Sequence, residues 1–296
     1  IPMIHSFIHS FISIISIIIA AAFAWAGSCG GPSFTGLPAL MLIMGIGFII
    51  HWILFLPSFF SKTEKFYDIT GTIAYFIMVG LAVYITSESS SVSLLSKTIA
   101  VMVLAWALRL GLFLLIRVFH VGEDKRFLKA KISFFKFLMF FSISGLWAFL
   151  TIANALTLIL NNPEIKADLF LGIGGFIWVI GFLFEVIADE QKRQFRKNVL
   201  LRGQFITTGL WSISQHPNYF GEILIWIGMA IISYPSLSGW QNATLISPLF
   251  VILMLTKISG INLLEEYADK KWGNLDEYQT YKNNTAVLIP FYKGNG

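Results

Sequence analysis

The chain has 296 residues, 56% hydrophobic and only 12% charged, with a mean hydropathy of +0.74. Soluble domains average about 25% charged residues, so this composition excludes a soluble globule and specifies a polytopic membrane protein. The single cysteine, Cys29, excludes a disulfide framework and a cysteine-based metal site, and a net charge of +5 points to no nucleic-acid partner.

Eight apolar segments have the length of a membrane-spanning helix: 6–26, 38–57, 69–86, 98–118, 134–160, 168–189, 219–234 and 244–262. The numbering begins at Ile1, which implies a processed or unseen start. The run from Phe7 to Trp25 is long enough to span, so it reads as a transmembrane helix rather than a signal anchor. In the second span His51 reads as a packing residue, and in the fifth Asn154 as an interhelical hydrogen-bonder. Gly172-Ile-Gly174-Gly175 in the sixth reads as close helix packing. Pro235 stops the seventh span early. No internal repeat is evident.

Basic residues are divided very unequally between the two faces that these spans define. Seventeen of the 21 Lys and Arg fall on one side, Lys97 and Lys166 on the other, and Arg109 and Lys257 within spans. That asymmetry obeys the positive-inside rule and would be scrambled by adding or removing a span. Both termini are then expected on the basic side, facing cytosol, bacterial cytoplasm or mitochondrial matrix.

Polar residues gather toward that basic face. Glu185 and Asp189 are four apart at the end of the sixth span and share a helix face, leading into a run that includes Arg196 and Lys197, with Arg202 beyond. Ser-Gln-His216-Pro-Asn218-Tyr219-Phe-Gly-Glu222 opens the seventh span, with Asn218 and Glu222 again four apart. Pro217 suits a first helical turn, where its missing N–H costs nothing. Glu265 and Glu266 close the eighth span, and Arg109 lies inside the fourth. Carboxylates and amides at membrane depth are costly unless they bind something polar. Arginines and lysines beside them suit phosphates, and the carboxylates and amides suit ribose hydroxyls and a carboxamide. Taken singly, the charge run around Lys192–Lys197 reads as a membrane flank, and the Glu185–Asp189 pair serves equally well as a helix-end partner for arginines. No Gly-x-Gly-x-x-Gly follows a strand, which excludes a Rossmann site.

These blocks resemble the steroid 5α-reductase-like membrane reductases, in the branch whose substrates are mostly unassigned. The matching residues are Trp106-Ala-Leu-Arg109-Leu with Arg117 and Gly122-Glu-Asp-Lys-Arg126; Glu185-x-x-x-Asp189 with Gln191-Lys192 and Phe195-Arg196; Gly209-Leu-Trp211 with His216-Pro-Asn-Tyr-Phe-Gly-Glu222; and Leu264-Glu265 with Tyr278-x-x-Tyr281-x-x-x-Thr285 and Ile289-Pro290. The resemblance implies an all-α fold: a seven-helix transmembrane core over 38–296, preceded here by an extra helix and loop over 1–37. It also implies NADPH as cofactor and reduction of a carbon–carbon double bond conjugated to a ketone in a lipid-like substrate. Carried over by position, Asp189, Arg196, Asn218 and Glu222 are dinucleotide contacts, joined as candidates by Glu185, Arg202, His216, Tyr219, Glu265 and Arg109. The family's Gln-Glu pair at the start of its second helix falls on Tyr67-Asp68, and a substrate-polarising tyrosine falls on Trp106. Related members often carry Arg at the position of Gln215.

In that chemistry, hydride reaches the β-carbon of an enone, and Asp68 or Tyr67 donates to the carbonyl oxygen on which negative charge develops. Two other readings stay open. One is an S-adenosylmethionine-dependent membrane methyltransferase, which shares part of the His-Pro-x-Tyr block. The other is a catalytically degenerate homologue serving as a structural subunit of a larger membrane assembly.

Overall fold

In the computed structural model, residues 2–121, 127–165 and 168–292 are described. The Gly122–Arg126 block, and with it Lys125 and Arg126 of the charge count, lies outside them, as do Lys166 and Lys293. The chain is all-α and polytopic: among the described residues, eight helical stretches are long and apolar enough to cross a membrane. They lie at His5–Ser28, Ala39–Phe60, Tyr67–Ser89, Leu94–Ile116, Phe134–Asn161, Leu169–Lys197, Pro217–Ser236 and Gly239–Trp272. The eight expected spans are all present.

The chain divides into two compact units, residues 1–166 with 233–247, and residues 167–232 with 248–296. The first holds α1 (Pro2–Ser28), α2 (Ala39–Phe60), α3 (Tyr67–Ser89), α4 (Leu94–Val121) and α5 (Phe134–Asn161). Its hub is α5, which is buried without interruption from Ala148 to Leu160 and is mostly apolar on every face of that stretch, with Thr151, Asn154 and Thr157 the polar exceptions. The other four helices of the unit pack against it. A short antiparallel hairpin, Ser33–Phe34 with Leu37–Pro38, joins α1 to α2. Thr35 and Gly36 both take positive φ (52° and 83°), the signature of a type I′ turn. At the far end of α5, Asn161 and Gln241 exchange two side-chain hydrogen bonds of 2.9 and 3.0 Å.

His51 packs as expected, with its Nδ1 donating to the Gly47 carbonyl at 2.8 Å. Asn154 departs from expectation. Its Oδ1 accepts from the adjacent Ala155 N–H at 2.7 Å, inside its own helix. Other side chains bond between helices, among them Thr86 to the Ile159 carbonyl (3.0 Å), Ser247 to the Leu150 carbonyl (2.7 Å) and the Trp52 indole N–H to Ser142 Oγ (3.2 Å).

The second unit holds α6 (Leu169–Lys197), α7 (Pro217–Ser233), most of α8 (Ser247–Leu253), α9 (Ile261–Trp272) and α10 (Asp276–Asn284). Asp168 caps α6 by accepting from Leu171 N–H at 2.8 Å. Helices α6 and α7 run antiparallel with their backbones touching. A Cβ on Gly181 would lie 2.6 Å from the Gly221 carbonyl, and one on Gly228 2.6 Å from the Gly174 carbonyl. Gly174 is thus the packing residue of the glycine run, while a Cβ on Gly172 or Gly175 would meet open space. A wide π turn at Met254–Ile258 separates α8 from α9, marked by the Ser259 N–H to Met254 carbonyl bond of 2.9 Å.

Candidate functional site

The contact between the α6 and α7 backbones determines which side chains meet. Glu185 and Asp189 share the buried face of α6, only 2% and 4% exposed. Pro217 opens α7 as expected, with the His216 carbonyl accepting the first helical bond from Phe220 N–H at 3.1 Å. Asn218, one residue in, donates from Nδ2 to Asp189 Oδ1 at 3.1 Å. Glu222, one turn on, is also buried. The His216 ring stacks on Tyr219 with centroids 5.6 Å apart. Burial, reinforced by the Lys192 ammonium, holds the His216 imidazole far below its usual pKa, at about 3, so it is neutral at physiological pH.

A cavity of about 180 Å³ opens within the second unit; of this cluster His216 lines it, while Glu185, Asp189, Asn218, Tyr219 and Glu222 do not. Its polar lining includes Lys192, Arg196, Gln215, His216 and Glu265, and its apolar walls are mostly aromatic rings. The Lys192 ammonium sits 4.1 Å above the Trp211 ring. Phe205 packs against Trp272, Tyr278 and Tyr281 at 5.2 to 5.7 Å between centroids. Burial and then the Asp269 carboxylate push the Tyr278 phenol up to about 12, so it stays protonated.

The connection from α6 to α7 explains the Gly209-Leu-Trp211 block. Gly209 takes φ +64°, and a Cβ there would strike the Gln191 side chain. The next residue donates its backbone N–H to Gln191 Oε1 at 2.9 Å. Trp211, 3% exposed, donates from Nε1 to the Ala188 carbonyl at 3.0 Å. The loop is thereby fastened to the last turns of α6. Sequence reading tied Gln191 and Trp211 to the site only through resemblance, because their partners are 19 and 23 residues away.

The other expected residues are placed as follows. Arg196 is exposed on the cavity rim, and Glu265 lines the cavity from α9. Arg202 is exposed on the turn after α6 and does not line the cavity. Tyr67, Asp68, Trp106 and Arg109 belong to the first unit. Tyr67 opens α3, its hydroxyl 3.3 Å from the Phe140 carbonyl and its ring against Phe127 and Phe141. Asp68 follows in the first turn, half-buried. Trp106 is fully buried, edge-on to Tyr75 at 5.2 Å, and the Arg109 guanidinium lies 5.7 Å from the Phe113 ring centroid. Sequence reading missed a buried ion pair in this unit, Lys131 with Glu64 at 3.1 Å. Among the described residues, no group of three or more His, Cys, Asp or Glu is placed to hold a metal.

Comparison with known proteins finds similar chains of two kinds. The 3-oxo-5-alpha-steroid 4-dehydrogenase 1 of Bos taurus is 27% identical over 118 residues, 40% of each chain. Its Mus musculus counterpart is 25% identical over 118 residues, 40% of this chain and 41% of its own. A probable O-methyltransferase, ustE, of Ustilaginoidea virens is 28% identical over 153 residues, 51% of this chain and 52% of its own. The chain thus spans about half or less of the curated relatives it matches. No solved structure matches. Residues 54–285 match the family model of DUF1295, described as a protein of unknown function, and the chain belongs to that family.

Proposed function

We propose that the protein is a membrane-embedded, NADPH-dependent reductase that saturates a carbon–carbon double bond conjugated to a carbonyl in an apolar, lipid-like substrate. The observation that carries this reading is the cavity lined by Lys192, Arg196, His216 and Glu265, whose His216 leads directly into the α7 turn that bears the buried Asp189–Asn218 pair. The donor set suits a dinucleotide. Lys192 and Arg196 offer cationic donors to phosphate. Asp189 and Glu222 accept from ribose hydroxyls or a carboxamide, and the aromatic walls offer faces to planar bases. At about 180 Å³ the cavity takes one end of such a molecule, since sites for whole drug-sized ligands measure roughly 300–1,000 Å³.

When bound, NADPH supplies the hydride; the chain's own residues orient the reactants and manage charge. We assign Tyr67 and Asp68 as donors to the substrate carbonyl oxygen, where negative charge grows as the double bond is reduced. Trp106, standing where related reductases have tyrosine, offers an indole N–H as a further donor. The test is NADPH oxidation in detergent with a panel of apolar enones. Tyr67→Phe and Asp68→Ala are each expected to lower turnover by about 10²-fold or more. Unchanged turnover in both variants removes these residues from the mechanism.

The O-methyltransferase of Ustilaginoidea virens, matched over 51% of the chain, favours a second reading as an S-adenosylmethionine-dependent methyltransferase. That cofactor carries no phosphate for Lys192 and Arg196. Thermal melts with each cofactor separate the two: NADPH alone raises the midpoint if the reductase reading holds, and S-adenosylmethionine alone raises it if the second does.

A further inference from the structure

The C-terminal segment is attached to the site by a row of bonds that the reductase reading does not use. Gln215 donates its backbone N–H to the Ala286 carbonyl at 2.8 Å. Its side-chain amide donates to the Thr285 and Lys282 carbonyls at 2.7 and 3.1 Å, capping the last turn of α10. Ser214 Oγ donates to the Leu288 carbonyl at 2.8 Å and accepts from His216 N–H at 3.2 Å. Phe291 N–H reaches back to the Ile213 carbonyl at 3.2 Å, and the Tyr281 hydroxyl donates to the Trp211 carbonyl at 2.7 Å. Every one of these bonds lands within residues 211–215, directly upstream of the His216 carbonyl that starts α7. On its other side, α10 is tied to α9, with the Tyr278 hydroxyl on Asp269 at 3.1 Å and Lys282 on the same carboxylate at 2.8 Å.

The segment thus contributes to one wall of the cavity through Tyr278 and Tyr281, alongside α9 and the His216 turn. Helix α10 has only nine residues. That is too short to persist without tertiary support, so its order depends on these attachments. A segment of this kind opens and closes as a local unit, and a ligand that contacts its closed form must favour closure. We infer that residues 276–292 form a ligand-responsive clamp, and that Gln215 is the positioning residue coupling the clamp to the first turn of α7, where Asn218 meets Asp189. The ligand side of this inference rests on the reading proposed above; the coupling itself does not.

The coupling is tested by hydrogen–deuterium exchange on the full chain in nanodiscs, without ligand and with NADPH. Gln215→Glu keeps the side-chain shape but removes the amide donor, turning a carboxylate toward two carbonyls. In the ligand-free chain it is expected to speed exchange by about tenfold both in 285–292 and in 216–222, the scale of one lost hydrogen bond. Gln215→Arg, which restores donors to the same carbonyls, is expected to return both regions to wild-type rates. If Gln215→Glu proves too unstable to purify, Tyr281→Phe removes one attachment more gently and is read the same way. Faster exchange in 285–292 with 216–222 unchanged overturns the coupling, as does no change in either. Saturating NADPH is expected to slow exchange in 285–292 of the wild type, and Gln215→Glu to weaken NADPH binding at least about tenfold by the same linkage. Equal affinity of the two proteins overturns the clamp while leaving the cofactor reading intact. If no NADPH binding is seen but Gln215→Glu still loosens both regions, the coupling stands and the cofactor reading falls.

Discussion

A buried ion pair in the first unit and a buried histidine in the second carry charge questions that a membrane environment sharpens. Lys131 and Glu64 form an ion pair whose side chains are 10% and 8% exposed. Each holds one end of a closed circuit. Tyr67 N–H donates to the Glu64 carbonyl at 2.9 Å, and Lys131 N–H donates to the Phe127 carbonyl at 2.9 Å. The Phe127 ring packs on Tyr67 at 4.7 Å between centroids. Lys131→Met removes the cation from a buried carboxylate and is expected to destabilise by about 3–5 kcal/mol, whereas a paired Glu64→Leu, Lys131→Met change recovers most of the loss. Chemical unfolding in detergent reads both. His216 poses the opposite case. Its folded pKa is near 3 against an unfolded value of 6.5, so only the unfolded chain takes up the proton as pH falls below 6.5. Stability is full above that value and declines as pH drops toward 3, by about 1.4 kcal/mol per pH unit. Melting midpoints from pH 7.5 to 4.5 should fall more steeply for the wild type than for His216→Asn. Equal slopes would show that the imidazole is not held neutral.

At the scale of elements, the α6–α7 pair is the one whose geometry the site depends on. Gly181 and Gly221 abut backbone, which cannot yield as a side chain can. Gly181→Ala is therefore expected to cost about 1–3 kcal/mol by overpacking and to weaken ligand binding by parting Asn218 from Asp189. Gly175→Ala faces open space and is expected to be neutral or stabilising by up to about 1 kcal/mol from helix propensity. Melting curves of the two variants make the comparison. The same pair shows how far sequence pattern reaches. Hydropathy located both spans but ended the sixth at residue 189, whereas α6 runs to Lys197. Apolar runs mark where a helix meets lipid, and the backbone ladder continues past that level into polar residues. Pro217 and the four-residue spacing of Asn218 and Glu222 were legible, because they are local. The fastening of residues 209–215 to Gln191, Ala188 and the C-terminal segment was not, because each contact joins residues 19 or more positions apart.

For the molecule as a whole, eight spans and an all-α architecture were legible because twenty-residue apolar runs leave no alternative. The division into two units was not, since residues 233–247 join the first unit from within the second half of the chain. The Glu64–Lys131 pair escaped notice for a related reason: Lys131 counts as one more basic-face lysine until its distant partner is known. The charge asymmetry predicts that Cys29, just past the end of α1, faces away from the basic side. As the single cysteine, it allows a direct check. In sealed vesicles a membrane-impermeant maleimide should label Cys29 from the non-basic face only, and labelling from the other face would invert the topology.

The glycine contacts between α6 and α7 have one further consequence, for how readily the chemistry of this site can change. Because backbone rests on backbone at Gly174, Gly181, Gly221 and Gly228, the approach of the two helices at those points is set chiefly by main-chain atoms. The residues at 185, 189, 218 and 222 are thus free to be exchanged while the frame that presents them stays fixed. A scaffold of that kind can be moved from one polar ligand to another by a handful of substitutions, with no repacking of the membrane core.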